Sequence, residues 1–189
     1  IEETAGERCL VVPYQEFDMT MVERLRPRAV VCGGFGGHFE DRQAAWFLGM
    51  NALFHQANFP ILAICGSHQL LAHAFNRDLV MVERLYDEPM RKLTPDDECP
   101  RVAAANHLCD LSAYFVAKGY YPITRMQDDP LFEDLPERMM MYCSHYCEVK
   151  QLPTDFILLA RSGHCAIEAM RHARRPLYGV QFHPEMYSE

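Results

Sequence analysis

Pro60-Ile61-Leu62-Ala63-Ile64-Cys65-Gly66-Ser67-His68-Gln69-Leu70-Leu71-Ala72 runs from a short apolar stretch, through a cysteine set among small residues, into an amphipathic pattern. A run of four apolar residues bounded by proline and glycine reads as a buried strand, and the residues after the cysteine read as a helix. The cysteine then projects from the end of a strand beside a helix N-terminus. The helix dipole and the free N–H groups there favour a thiolate. A thiolate is the nucleophile that acyl transfer needs.

A second strand-like stretch lies near the C-terminus, Tyr178-Gly179-Val180-Gln181-Phe182-His183-Pro184-Glu185. It ends in a histidine with a carboxylate two residues later. Together the two stretches supply a nucleophile, a base and an acid to orient it. A third ingredient of acyl chemistry is a set of donors for a developing oxyanion. Val30-Val31-Cys32-Gly33-Gly34-Phe35-Gly36-Gly37 offers one, a strand running into a loop of four glycines whose N–H groups can turn toward a ligand. A phosphate cradle is the rival reading of that loop. No G-K-[ST] follows it, and its spacing does not match the dinucleotide fingerprint.

The chain has 189 residues, 49% of them hydrophobic, which suits one compact domain with a real core. A net charge of −8 argues against a nucleic-acid footprint. The basic cluster Arg171, His172, Arg174 and Arg175 reads as a solvated turn. No apolar run is long enough to span a bilayer and no signal peptide is seen, so a cytoplasmic, membrane-free protein is expected. The first residue is Ile1, so the chain is read as trimmed or cut from a longer one.

Eight cysteines scattered through strand-like and helix-like segments read mostly as free buried thiols in a reducing compartment. Cys143-Ser144-His145-Tyr146-Cys147 would put three ligand types on one strand face. No matching CxxC pair exists elsewhere, and neither a metal nor a cofactor is expected.

Strands are expected at Arg8–Val12, Ala29–Cys32, Ile61–Cys65, Leu79–Val82, Met139–Cys143, Phe156–Ala160, Cys165–Met170 and Leu177–Phe182, with helices at Asp41–Ala57 and Ser67–Phe75. Early alternation of strands and helices predicts an α/β fold: a central, mostly parallel sheet with helices on both faces. The later strands follow one another closely and should pair as hairpins. Residues 1–189 read as a single domain with an irregular excursion over about 84–118, punctuated by Pro89, Pro95 and Pro100 and carrying a helix over Ala103–Ala117. Trp46 and Phe47 read as core, and His68 as a solvent or pocket-edge residue.

These motifs resemble those of the class I (triad-type) glutamine amidotransferases. The nucleophile turn of that family has the form G-I-C-x-G-x-Q, and here the chain has Ala63-Ile64-Cys65-Gly66-Ser67-His68-Gln69. The family's G-V-Q-F-H-P-E is present in full from Gly179 to Glu185. Gly33-Gly34-Phe35 is similar to its G-G-P loop. Ser144-His145, followed by Val149 and Leu152-Pro153, is similar to its S-H-x-D-x-V…L-P segment. The resemblance runs from about residue 8 to 185 outside the excursion. In its C-terminal half it is strongest to the glutaminase domain of GMP synthase.

The resemblance implies a flavodoxin-like fold and a Cys65–His183–Glu185 triad that hydrolyses the glutamine side-chain amide through a γ-glutamyl thioester. It also implies an oxyanion hole at the N–H groups of Gly34 and Gly66. Gln69, Ser144 and His145 would hold the amino-acid end of the substrate. The implied partners are L-glutamine or another γ-glutamyl compound, and a synthase subunit or fused domain that receives the ammonia.

The departures from the pattern are Ala63 and Ser67 in place of two glycines, Phe35 in place of proline, and Tyr146-Cys147 in place of a Gly-Asp-like pair. Small residues at the first two should keep the turn intact, whereas Phe35 should loosen or reshape the oxyanion loop. Tyr146 and Cys147 leave room for a stand-alone γ-glutamyl amide hydrolase as a second reading. A degenerate, non-catalytic binding domain is the third.

Overall fold

The computed structural model describes residues 2–97 and 113–186. Seven strands form one sheet: β1 (Val30–Cys32), β2 (Ile61–Ile64), β3 (Ala117–Arg125), β4 (Arg138–His145), β5 (Phe156–Arg161), β6 (Ala169–His172) and β7 (Leu177–Val180). Their order across the sheet is β1-β2-β7-β6-β5-β3-β4. The parallel part is β1, β2 and β7; from β7 outward every pairing is antiparallel. The helices are α1 (Glu2–Ala5), α2 (Met19–Leu25), α3 (Leu48–Gln56) and α4 (Gly66–Asn76). The expected α/β architecture is therefore present, but the sheet is mixed and not mostly parallel: among the described residues two strand pairings are parallel and four antiparallel, because the closely spaced later strands pair as neighbours without crossover helices.

Alternation along the strands separates two cores. Ile61 and Ala63 of β2 and Leu177 of β7 face Leu53, Phe54, Leu70 and Leu71 of α3 and α4. Ile64, Val180 and Ala169 point the other way, among Met90, Phe115, Ile123 and Phe132. Among the described residues, this second face is covered by loop side chains. The described part of the excursion belongs to that cover. Met90 is fully buried there, its N–H donates to Tyr146 O at 3.0 Å, and Pro89 bridges Cys147, whereas Leu85 packs into the first core. The helix expected over Ala103–Ala117 lies mostly outside the described residues. Its last residue, Ala117, begins β3.

Two expected strands are absent. Arg8–Val12 is coil with Val11 90% exposed: among the described residues β1 has no strand on its outer side, and this apolar run joins no ladder and stays in solvent. Leu79–Val82 is a turn because the Asp78 carboxylate accepts the Val80 N–H at 3.0 Å and its carbonyl accepts that of Met81 at 3.1 Å, an Asx-type capture of the backbone. Cys165–Met170 becomes strand only from Ala169, since Ser162 Oγ accepts the Cys165 N–H at 3.0 Å and holds a turn.

β3, the longest strand, was not expected. Lys118, Gly119 and Pro122 interrupt its pattern. Pro122 lies before the point where β5 joins at Thr124 and Arg125, where one side of β3 carries no strand partner, as strand prolines require.

Asp41–Ala57 resolves into a 3-10 turn at Ala44–Phe47 followed by α3. Phe47 is buried as expected, but Trp46 is 40% exposed. The basic cluster is also not simply solvated. Arg171 pairs with Asp129 at 2.7 Å, and Arg175 donates to the carbonyls of Phe54 and His55 at 2.8 and 3.0 Å, satisfying the end of α3. No helix among the described residues is long and apolar enough to cross a membrane.

Candidate active site

Cys65 sits at the carboxyl end of β2, one residue before α4. Its N–H donates to Val180 O at 2.8 Å, which fixes it against the end of β7. The backbone there is at φ 51°, ψ −109°, a left-handed conformation that a side-chain-bearing residue holds only under constraint. The turn lifts the side chain out of the sheet, the geometry of a nucleophile elbow. Gly66 leaves room for the Phe35 ring: a Cβ there would lie 3.1 Å from it, so any side chain would have to push the ring aside by a few tenths of an ångström. Ser67 ties the start of α4 to the glycine loop through Oγ, which donates to Gly33 O at 2.7 Å.

β7 delivers the second half of the site. Past its end, His183 N–H donates to Tyr142 O at 2.8 Å, anchoring the segment to β4. The imidazole Nδ1 meets Glu185 Oε1 at 2.8 Å. A proton on Nδ1 donated to that carboxylate leaves the lone pair on Nε2. Gly34 lies between the two halves. A Cβ on it would sit 3.2 Å from Cys65 Cβ and 3.3 Å from His183 Cε1. The exposed glycine-loop backbone, the cysteine and the histidine thus surround one point.

Phe35 stabilises the loop instead of loosening it. Its ring packs against Phe39, Phe47 and Tyr14, with the Arg42 guanidinium 5.0 Å from its centroid. Tyr146 fastens the glycine loop to the segment after β4 through its hydroxyl, which donates to Gly37 O at 2.9 Å.

The remaining candidates divide. Ser144 is exposed, and its carbonyl lies 3.9 Å from Cys65 Sγ. The His145 side chain is buried and turned away, with Nδ1 on Cys147 O at 2.9 Å. Gln69 is buried in α4. Its Nε2 donates to Cys147 O at 2.9 Å and to Gln181 Oε1 at 3.1 Å. Gln181 in turn points Nε2 at Cys65 Sγ, 3.7 Å away. Sequence reasoning gave Gln181 no role; its signal was period-two spacing from His183 in the same extended stretch. His68 is fully buried, its Nε2 on Ile167 O at 3.1 Å, so the pocket-edge assignment is overturned. It packs where a Cβ on Gly179 would approach its ring to 2.4 Å, which explains that glycine.

The resting thiol is neutral, against the sequence expectation. Burial pushes its pKa up to about 11, the Gly66 N–H pulls it down, and the Glu185 carboxylate pushes it further up. The helix-end donor is present but desolvation outweighs it. Alkylation of Cys65 by iodoacetamide, followed by mass spectrometry, is expected to keep accelerating past about pH 9. A plateau near neutrality would mean that the thiolate is preformed.

An α/β sheet that presents a cysteine on a strained strand–helix turn opposite a carboxylate-held histidine defines a class, the α/β proteins with a thiol at a nucleophile elbow. Residues 3–189 match the family model for glutamine amidotransferase class-I, and the chain belongs to that family. Over 133 residues it is 34% identical to the glutamine-hydrolysing GMP synthase subunit of Pyrococcus abyssi, a match spanning 70% of this chain and 54% of that one. A 62-residue stretch is 55% identical to the corresponding subunit of Archaeoglobus fulgidus, spanning 33% of this chain and 34% of that one. The chain thus spans about half, or less, of the length of these curated relatives.

Among solved structures, a candidate GMP synthase subunit of Thermoplasma acidophilum superposes with a TM-score of 0.71 at 23% identity, covering 98% of this chain and 75% of that one. A glutamine amidotransferase of Thermotoga maritima gives 0.55 at 16% identity, covering 91% and 72%. Both likenesses carry the fold.

Proposed function

We propose that the chain forms one glutaminase domain in which Cys65, His183 and Glu185 act as a catalytic triad on the side-chain amide of glutamine. The observation that supports this most is the convergence of the Cys65 and His183 side chains on Gly34, with His183 held by Glu185 at 2.8 Å.

In this reading the neutral thiol gives its proton to His183 Nε2 as sulfur attacks the amide carbon, and Glu185 supports the imidazolium that forms. The N–H groups of Gly34 and Gly66 receive the oxyanion. Collapse of the tetrahedral adduct breaks the C–N bond, and the proton on His183 leaves with ammonia. Water, deprotonated by His183, then cleaves the γ-glutamyl thioester to glutamate and free Cys65. Gln181, braced by Gln69, donates toward the sulfur. Gln69 and the backbone at Ser144 and His145 line the end of the pocket that takes the amino-acid group of the substrate.

Free ammonia is mostly protonated at neutral pH, and in that form it is no nucleophile. We therefore propose that a synthase subunit docks over the site and takes it up. The relatives named as the glutamine-hydrolysing subunit of GMP synthase favour a GMP-synthase-type synthetase as that partner.

Glutamate release from L-glutamine and from γ-glutamyl methylamide, each with and without such a synthetase subunit, tests the reading. Glutamine is expected to be the preferred substrate, with faster turnover in the presence of the synthetase. Cleavage of the methylamide alone would favour a stand-alone γ-glutamyl amide hydrolase. Inertness toward both substrates in all four mixtures would sink the catalytic reading.

A further inference from the structure

Four side chains of metal-ligand type meet behind the candidate active site. Cys143 and His145 come from β4, and His164 and Glu168 come from the segment between β5 and β6. One donor atom from each lies within 4.8 Å of the others. Cys143 and Glu168 are completely buried and His145 is 4% exposed.

The polar atoms at this meeting point lack partners. His145 Nε2 and His164 Nε2 are buried without a hydrogen bond among the described residues, and neither carboxylate oxygen of Glu168 has a well-formed one, the Ser162 hydroxyl being near enough only to offset part of the upward push of burial on its carboxyl. His164 Nε2 and Glu168 Oε1 stand 3.5 Å apart, close enough for attraction and too long for a good bond. Unsatisfied buried groups are costly and uncommon, and here they are gathered at a single place. His145 Nδ1 is already committed to Cys147 O, so its Nε2 lone pair faces the cluster. That is the arrangement in which backbone carbonyls orient metal-bound imidazoles.

We propose that Cys143, His145, His164 and Glu168 form a structural site for a divalent metal of the zinc type. One thiolate, two neutral imidazoles and one carboxylate are the borderline-soft S/N/O set that zinc takes tetrahedrally. The thiolate and carboxylate together carry the charge that neutralises a dication, so the buried site is uncharged overall. Binding releases the Cys143 thiol proton to solvent. A surface cleft lined by Thr124, Arg161 and Ser162 reaches His164, the one member of the cluster that is only partly buried. The metal would fasten the end of β4, and with it the Ser144 carbonyl beside Cys65, to the β5–β6 segment. Cys147 does not belong to the described cluster, so only two of the three ligands considered from sequence do. This proposal is independent of the glutaminase reading.

The test uses Cys65→Ala protein, so that the candidate nucleophile cannot act as a ligand. Protein from zinc-supplemented medium, dialysed against metal-free buffer, is expected to retain about one equivalent of zinc by mass spectrometry. Chelation should lower its thermal midpoint. Cobalt(II) added to the stripped protein should give tetrahedral d–d bands and a thiolate charge-transfer band. The charge-transfer band should vanish in Cys143→Ser, and affinity should fall at least about tenfold in Glu168→Gln. Should either substitution prevent folding, the metal content and cobalt spectrum of the parent protein decide the matter. A folded parent that retains under about 0.1 equivalent and ignores chelator overturns the site. A charge-transfer band that survives Cys143→Ser overturns it as well.

Discussion

If Cys65 is the proposed nucleophile, Cys65→Ala is expected to lower glutamine hydrolysis by about 10³-fold or more, because a double-displacement reaction has no first step without its nucleophile. The same substitution should change stability by no more than about 1 kcal/mol. The side chain lost is a single sulfur at the edge of the second core, and its polar contacts are weak: 3.7 Å from Gln181, 3.9 Å to Ser144 O and the Gly66 N–H. Alanine at φ 51° is no more strained than cysteine, since both carry an unbranched Cβ in the same left-handed conformation. The elbow itself is held by backbone, through the Cys65 N–H to Val180 O bond. Steady-state glutamate production and a thermal melt on the same preparation separate the two effects. Undiminished turnover in the variant would remove Cys65 from the chemistry.

Much of the local structure of the candidate site was readable in the sequence because its signals are local. A strand, a small-residue turn and a helix around Cys65 need only short-range pattern and turn chemistry, and the strand–His183–Glu185 stretch is equally compact. Contacts between distant segments were not readable. Nothing near residue 69 announces that Gln69 reaches Gln181 and Cys147, or that Ser67 fastens the glycine loop. Phe35 looked like a poor substitute for a rigid proline, yet a cluster of aromatic rings from residues 14, 39 and 47 holds it in place.

The strand errors have the same origin. Leu79–Val82 carries a strand's composition, but the Asp78 carboxylate one residue upstream captures its backbone. β3 carries a loop's composition at Gly119 and Pro122, but an eight-residue register with β4 overrides it. Sheet partners decide strands, and partners are remote in sequence. The neutral resting thiol belongs here too: helix-end donors can be read from pattern, while burial of the sulfur depends on the whole fold.

That neutral thiol gives the second large effect. With the Cys65 pKa raised to about 11, almost no thiolate exists at pH 7, and in the proposed triad His183 would have to remove the proton during attack. His183→Gln is therefore expected to cut kcat by about 10²- to 10⁴-fold. Its fold should persist, because the segment is anchored by the residue 183 N–H to Tyr142 O, a bond that any side chain keeps. Glu185→Gln should cost less, about tenfold. The Glu185 side chain is 38% exposed, so water screens its support of the imidazolium, while glutamine can still accept the Nδ1–H and preserve the ring's orientation. Kinetics at several pH values separate base catalysis from mere pocket shape. In His183→Gln the residual rate should rise steadily with pH, as solvent hydroxide takes over the deprotonation of the thiol, while KM for glutamine stays within about twofold. A raised KM with kcat intact would instead make His183 a substrate contact, and the thiol would then need another base within reach of Gly34.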